Sequence, residues 1–422
     1  MNPASKGWLQ EYLEYRQEPL QELTAEGRKS SHPDYSLYRV LQPSGLMYGQ
    51  PVYPFDHPDA ALWSEKDMMK ILLADSLISS SLLVHEKAVK NPEEMPALTA
   101  KTLENVANFY NHIFPELAAP NRTLFGRKKT SMEQAERILE KRIALTLEFK
   151  NNFWTQLFHN SLLFLDVFIF GQWIHTNADK IVSDFFKYER EELRTSVVKI
   201  MAAAAHANHI VEFEERKLME YFLQSAKLPS DKKKECQEIF EKGISIEEIN
   251  LPTNNSWLLK KYFLEIAILT VWADKKVEEI ELEFIRRFSD TLSFSEEELE
   301  NSMIAVEGFV LEHWEELNRL QDKKDYETVG EHYMKRMLKV TEKNKGRLLK
   351  EVRGKEDLMV LLKLAQAQEL NDQEKQRLRM YLIEVLKVIP AFAIISLPQR
   401  FLSLPVLIQI FPKNFIAESL ST

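Results

Sequence analysis

The chain has 422 residues, 45% of them hydrophobic and 28% charged, with a net charge of −9. That balance excludes a disordered or fibrous chain and, taken as a whole, a DNA- or RNA-binding protein, and the length predicts two to four domains. Glycine is scarce at 11 residues while Glu, Lys, Leu and Ala abound, so the predicted class is all-α, a multi-helix bundle.

Residues 1–60 are aperiodic and rich in Pro and Tyr, which predicts a short helix near Trp8–Glu18 followed by an extended N-terminal arm. No basic-then-apolar leader opens the chain, so secretion by that route is not expected, and basic residues just ahead of the C-terminal apolar run favour the cytoplasmic side. A helical region over 61–150 follows. Ser64 with Asp67 starts a helix at Glu65, a second follows Thr99, and Ser131 with Gln134 forms a capping box for a third. That third helix has a dry edge of Ile138, Leu139 and Ile143.

From Phe153 to Ile174 the chain turns aromatic, but His159, Asn160, Asp166 and Gln172 interrupt the run. A membrane span needs roughly 18 clean apolar residues, so a buried bundle helix is predicted instead. The lone Cys236 has no second thiol with which to form an internal disulfide and no activating neighbours.

Within a predicted domain over 151–320 lies an internal repeat. The stretch from Lys199 to Glu215 is echoed from Ile266 to Glu281, pairing Ile210 with Val277 and Glu214 with Glu281. Each copy is followed by a polar turn, at Leu228-Pro-Ser-Asp and Phe294-Ser-Glu-Glu, and another helix, and capping boxes at Ser245/Glu248 and Ser295/Glu298 support helix starts. This pattern resembles the tellurite-resistance TerB-like domain, in which an Ala-Asp-Gly-x-φ-x-x-x-Glu loop supplies acidic metal ligands. Ala273, Asp274, Val277 and Glu281 match that loop, Lys275 takes the place of its glycine, and Ala207 stands where the first copy would carry Asp. The resemblance implies a divalent cation on Asp274 and Glu281; capping of the loop by Asp274 is the other reading. His206, His209 and Glu212, at spacings of three, are a second ligand set, with polar loop residues as the alternative.

The predicted C-terminal region, 321–422, carries the densest signals. Nine basic residues lie between Lys335 and Lys355, among them Lys343, Lys345, Arg347, Lys350, Arg353 and Lys355, against only Glu342 and Glu351. They suit anionic lipid headgroups, a solvated face paired with the acidic helices before them, or RNA.

Asn371 with Glu374 caps a further helix, and then an apolar run from Val388 to Phe411 is broken by Pro390, Pro398 and Pro405 and ended by Pro412. Between Ile389 and Phe411 thirteen Leu, Ile, Val or Phe residues favour insertion. Their gain, roughly −4 to −8 kcal/mol, is offset by about +3 for Arg400 and by the polar and proline positions. Spanning is therefore not favoured, but lipid or a partner is expected to cover the segment, with Pro390, Pro398, Arg400, Pro405, Phe411 and Pro412 at the contact.

The string Leu386-Lys-Val-Ile-Pro-Ala-Phe, Leu404-Pro-Val and Phe411-Pro resembles the LETM-like domain, a proline-kinked apolar segment. Together with the TerB-like repeat, the chain resembles bacterial LETM-related, biofilm-associated proteins. The resemblance implies membrane-linked ion homeostasis: a peripheral membrane scaffold at the inner membrane, a component of a cation/proton antiporter, or a ribosome-binding protein, with homo-oligomerisation through the tail. No EF-hand loop is present, and Phe401 stands where that family tends to carry an acidic residue. Neither a Ser-His-Asp set, a phosphate loop nor a carboxylate pair stands out, so no enzyme and no organic cofactor are expected.

Overall fold

Good helix formers and sparse glycine produce helices throughout: every regular element among the described residues of the computed structural model is helical. The structure describes all residues except 27–32, 50–56, 85–88, 90, 119–126, 128, 145–152, 177–179, 208–210, 212, 253–255, 273–278, 315–322, 396 and 421–422. They form two compact units, Met1–Phe288 and Ser289–Thr422.

The first unit opens with α1 (Trp8–Tyr15), α2 (Gln17–Glu26) and α3 (Pro33–Ser44). Where sequence predicts an extended arm after the first helix, α3 is helical, because tertiary contacts outweigh the missing periodicity. Leu41 is buried, and the hydroxyls of Tyr38 and Tyr48 donate to the two oxygens of Glu265 at 2.6 and 2.7 Å. Asp34 accepts from the Ser256 hydroxyl at 2.6 Å and from the Leu258 amide at 3.1 Å, adding a distant cap to the helix that starts there.

The bundle continues with α4 (Glu65–Leu83), α5 (Met95–Ile113), α6 (Ser131–Ala144) and α7 (Phe153–Trp173). Ser64 caps α4 by accepting from the Asp67 amide at 3.2 Å. The cap of α6 lies one residue earlier than the Ser131/Gln134 box. Thr130 accepts from the Glu133 amide at 3.2 Å, while Glu133 accepts from the Thr130 amide at 3.0 Å. Two acceptable capping boxes overlap there, and Thr130/Glu133 is the one that forms.

Between Asn160 and Phe170 helix α7 is buried all round, as the interrupted aromatic run predicts. Its Asp166 accepts from Arg142 Nε at 2.7 Å and from the Tyr110 hydroxyl at 3.1 Å, linking α5, α6 and α7. No helix among the described residues is long and apolar enough to cross a membrane.

Next come α8 (Lys180–Ala205), α9 (Phe213–Ala226), α10 (Ser230–Lys242), α11 (Trp257–Val271) and α12 (Glu279–Thr291), the last running past the boundary between the units. Helices end at Ala205 and Val271, and the following ones begin at Phe213 and Glu279, an interval of 66 residues both times. The first helices of the two copies, α8 and α11, pack on each other.

The second unit contains α13 (Glu296–Glu312), α14 (Lys323–Lys343), α15 (Lys345–Arg353), α16 (Glu356–Ala367), α17 (Asp372–Leu386), α18 (Pro390–Ile394), α19 (Leu404–Ile410) and α20 (Phe415–Leu420). The boxes at Ser295/Glu298 and Asn371/Glu374 form as predicted. Helix α13 packs on α14, α17 on α16 and α19, and α20 on α15 and α16. The C-terminal segment thus folds back over the helices that precede it.

Candidate functional site in the C-terminal unit

The prolines of the tail do not bend one long helix. Pro390 is the first residue of α18, Pro398 precedes a 3₁₀ turn over Gln399–Leu402, Pro405 is the second residue of α19, and Pro412 lies between α19 and α20. A proline in the first helical turn loses no hydrogen bond, since that amide has no intrahelical partner, and its fixed φ suits the helix. Short helices started by prolines therefore replace the expected kinked rod.

Most of the apolar side chains of the tail are covered by the unit's own helices. Ile389, Phe392, Ile395, Phe401, Leu407, Ile410, Phe411 and Phe415 are buried, as are Pro398 and Pro412. Pro390, Arg400 and Pro405 are exposed. Ile408, at 39% exposure, is the one exposed large apolar side chain of the tail among the described residues. Protein, rather than lipid, also meets the polar backbone. The Thr341 hydroxyl donates to the Ile410 carbonyl at 2.6 Å, the Gln399 amide donates to Glu312 at 2.8 Å, and the Lys413 amide to Glu342 at 3.3 Å. Arg400, expected at a membrane or partner contact, lies 5.0 Å over the Tyr326 ring.

The basic cluster divides in two. Lys345 pairs with Glu418 at 2.8 Å, Lys355 pairs with Glu384 at 2.9 Å, and Arg353 donates to the Glu418 carbonyl at 2.8 Å. The hydrogen bond that Lys355 donates to Glu384 raises the pKa of its ammonium. Upstream, Arg336 holds Glu307 at 2.9 Å and Glu300 at 3.2 Å, and Lys339 meets Glu296 at 3.6 Å. Lys343, Arg347 and Lys350, like Lys335 further up α14, are exposed and form no ion pair among the described residues. Their spacing across the α14–α15 junction gives a short ridge of positive charge.

The metal expectation is not assembled in the described structure. Asp274 lies outside the described residues, and Glu281 is only 1% exposed. Among the described residues no group of three or more His, Cys, Asp or Glu is arranged to hold a metal. His206 instead donates from Nε2 to the Phe240 carbonyl at 2.6 Å, while His209 and Glu212 lie outside the described residues. Gly243, at φ +77°, makes room for that ring, since a Cβ there would come 3.0 Å from His206 Nδ1. Cys236 is buried, and burial pushes its thiol up to about 11, an inert state.

Sequence reading missed Glu307, the fully buried carboxylate between α13 and α14. Its signal was available: a lone acid among Met303, Ile304, Val306, Phe309 and Val310 on an apolar stretch. In the first unit a cleft of about 410 Å³ opens over Leu20, Met95 and Leu103. Its charged rim residue, Glu14, is already bonded by Gln10 at 3.0 Å, so the cleft offers shape without a free ionic anchor. Compared with protein-family models, with curated proteins and with solved structures, the chain matches none.

Proposed function

We propose that the chain is a non-catalytic helical scaffold that binds anionic membrane surfaces peripherally, from the cytoplasmic side, through Lys343, Arg347 and Lys350. The observation that carries this is the division of the basic cluster: Arg336, Lys339, Lys345 and Lys355 are held by carboxylates, whereas these three, gathered at the α14–α15 junction, are exposed with no ion pair among the described residues. Each basic residue near an anionic leaflet contributes about 1 kcal/mol, so three give roughly 3 kcal/mol, or on the order of 100-fold in affinity. Such binding is reversible and screened by salt, because the Debye length at physiological ionic strength is only about 8 Å.

In this reading the tail does not insert. It supports the ridge from behind, since α20 packs on α15 and ties down Lys345 and Arg353 through Glu418. The link to envelope ion homeostasis and surface attachment that the LETM-like resemblance implies would then be one of scaffolding rather than transport.

Flotation with phosphatidylserine-containing vesicles tests it. The wild-type protein floats at low salt and not at high salt. The triple variant K343Q/R347Q/K350Q loses roughly 100-fold in binding at low salt and keeps its helical circular dichroism. Unchanged flotation of that variant ends the proposal, and so does co-sedimentation with ribosomes in the absence of any vesicle binding.

A further inference from the structure

We propose that the C-terminal unit contains a proton-responsive latch, in which the charge on Glu307 sets how firmly the turn Pro398–Leu402 stays docked on α13 and α14. Three observations carry it. Glu307 is fully buried; its Oε1 accepts from Arg336 Nε at 2.9 Å, but its Oε2 is buried with no hydrogen-bond partner among the described residues. Tyr333, one turn before Arg336, is also fully buried, its hydroxyl without a hydrogen-bond partner among the described residues. That hydroxyl sits so close to Gly308 that a Cβ there would meet it at 3.2 Å, and Pro398 Cδ lies 3.6 Å from the same point.

The turn closes over Tyr333 and over the Gly308 backbone that follows Glu307. The Phe401 ring meets the Tyr333 ring edge-on at 4.9 Å, the Gln399 amide bonds Glu312, and Arg400 covers Tyr326. Water can reach Glu307 Oε2 most readily if that cover loosens. An ionised carboxylate with one dry oxygen is the form that most needs water, whereas a protonated one tolerates burial.

The charges around Glu307 act in opposed senses. Burial is the largest influence and raises its pKa, Arg336 from α14 lowers it, and Glu300 on α13 raises it again, leaving a value of about 7. Tyr333 on α14 is held neutral by burial and by Glu307 and Glu312. Among the described residues Lys339 pairs with Glu296 and Glu300, the His313 ring lies tilted against Phe309 at 4.6 Å, and Arg400 from the turn lies over Tyr326. Because the closed-state pKa is raised, closure is favoured at low pH and weakens as pH rises through that value.

Amide hydrogen exchange of the full chain, corrected for the intrinsic pH dependence of exchange, tests this without lipid and so independently of the membrane proposal. Protection over Phe401–Ile410 is expected to fall roughly 30-fold between about pH 5.5 and about pH 8.5, the linkage for a group moving from an open-state value of 4.5 to about 7. The variant Glu307→Gln removes that fall. Arg336→Gln, at a half-exposed position, moves the midpoint to higher pH because it removes the cation facing the carboxylate. PH-independent protection in the wild type, a persistent fall in Glu307→Gln, or an unmoved midpoint in Arg336→Gln would each overturn the latch.

Discussion

Replacing Glu265 by alanine is expected to cost about 3–5 kcal/mol of folding stability, since removing one partner of a buried polar cluster strands the others. Glu265 on α11 is fully buried and accepts one phenol on each oxygen, from Tyr38 and Tyr48. One turn earlier the buried Lys261 places its ammonium 5.7 Å from the Tyr38 ring and 5.7 Å from the Trp257 ring. The alanine variant would take from two buried phenol hydroxyls the carboxylate to which both donate. Urea unfolding followed by circular dichroism measures the loss, and limited proteolysis should show earlier cleavage before Gly49. Tyr38→Phe and Tyr48→Phe should each cost only about 1 kcal/mol, the net worth of one hydrogen bond. A Glu265→Ala loss no larger than those would mean that the cluster does not hold the N-terminal segment.

The same cluster sets an alkaline limit. Burial, and after it the charge of Glu265, raises the pKa of both tyrosines well above the ordinary 10.0. The folded state therefore keeps protons that the unfolded state releases, and stability should fall as pH rises past 10.0.

Asp166→Ala should be equally severe, at about 3–5 kcal/mol, because it leaves a guanidinium buried without its counter-ion. Arg142 is buried beside the Phe114 ring at 5.7 Å, and Asp166 is the acid that faces it at 2.7 Å. Replacing both partners by shape-matched apolar residues, Asp166→Leu with Arg142→Met, should recover most of the loss, since no unpaired charge remains. Thermal melts of the two variants decide it. A double variant as unstable as the single one would show that packing, not charge burial, governs the site.

These two clusters also mark where sequence reading stops. The caps at Ser64, Ser295 and Asn371 were legible because a cap joins residues three apart, and the all-α class followed from composition. Helix α7 was legible as buried because its polar interruptions are incompatible with lipid. The N-terminal segment was not, because what makes Pro33–Ser44 helical lies more than 200 residues away, at Glu265 and Ser256.

The tail is the clearest division of labour. Its prolines state in the sequence where helices must stop or start, because a residue with fixed φ and no amide hydrogen acts within one turn. They cannot say whether the pieces form one bent rod in lipid or several short helices on protein. Thr341, Glu342 and Glu312 decide that by meeting backbone groups 69, 71 and 87 residues further on. The basic cluster divides in the same way. Its composition was visible, but only the fold brings Glu418 to Lys345 and Glu384 to Lys355 and leaves Lys343, Arg347 and Lys350 free of ion pairs among the described residues. Interactions within a turn are written locally in the chain, whereas burial and charge pairing depend on which distant surfaces meet.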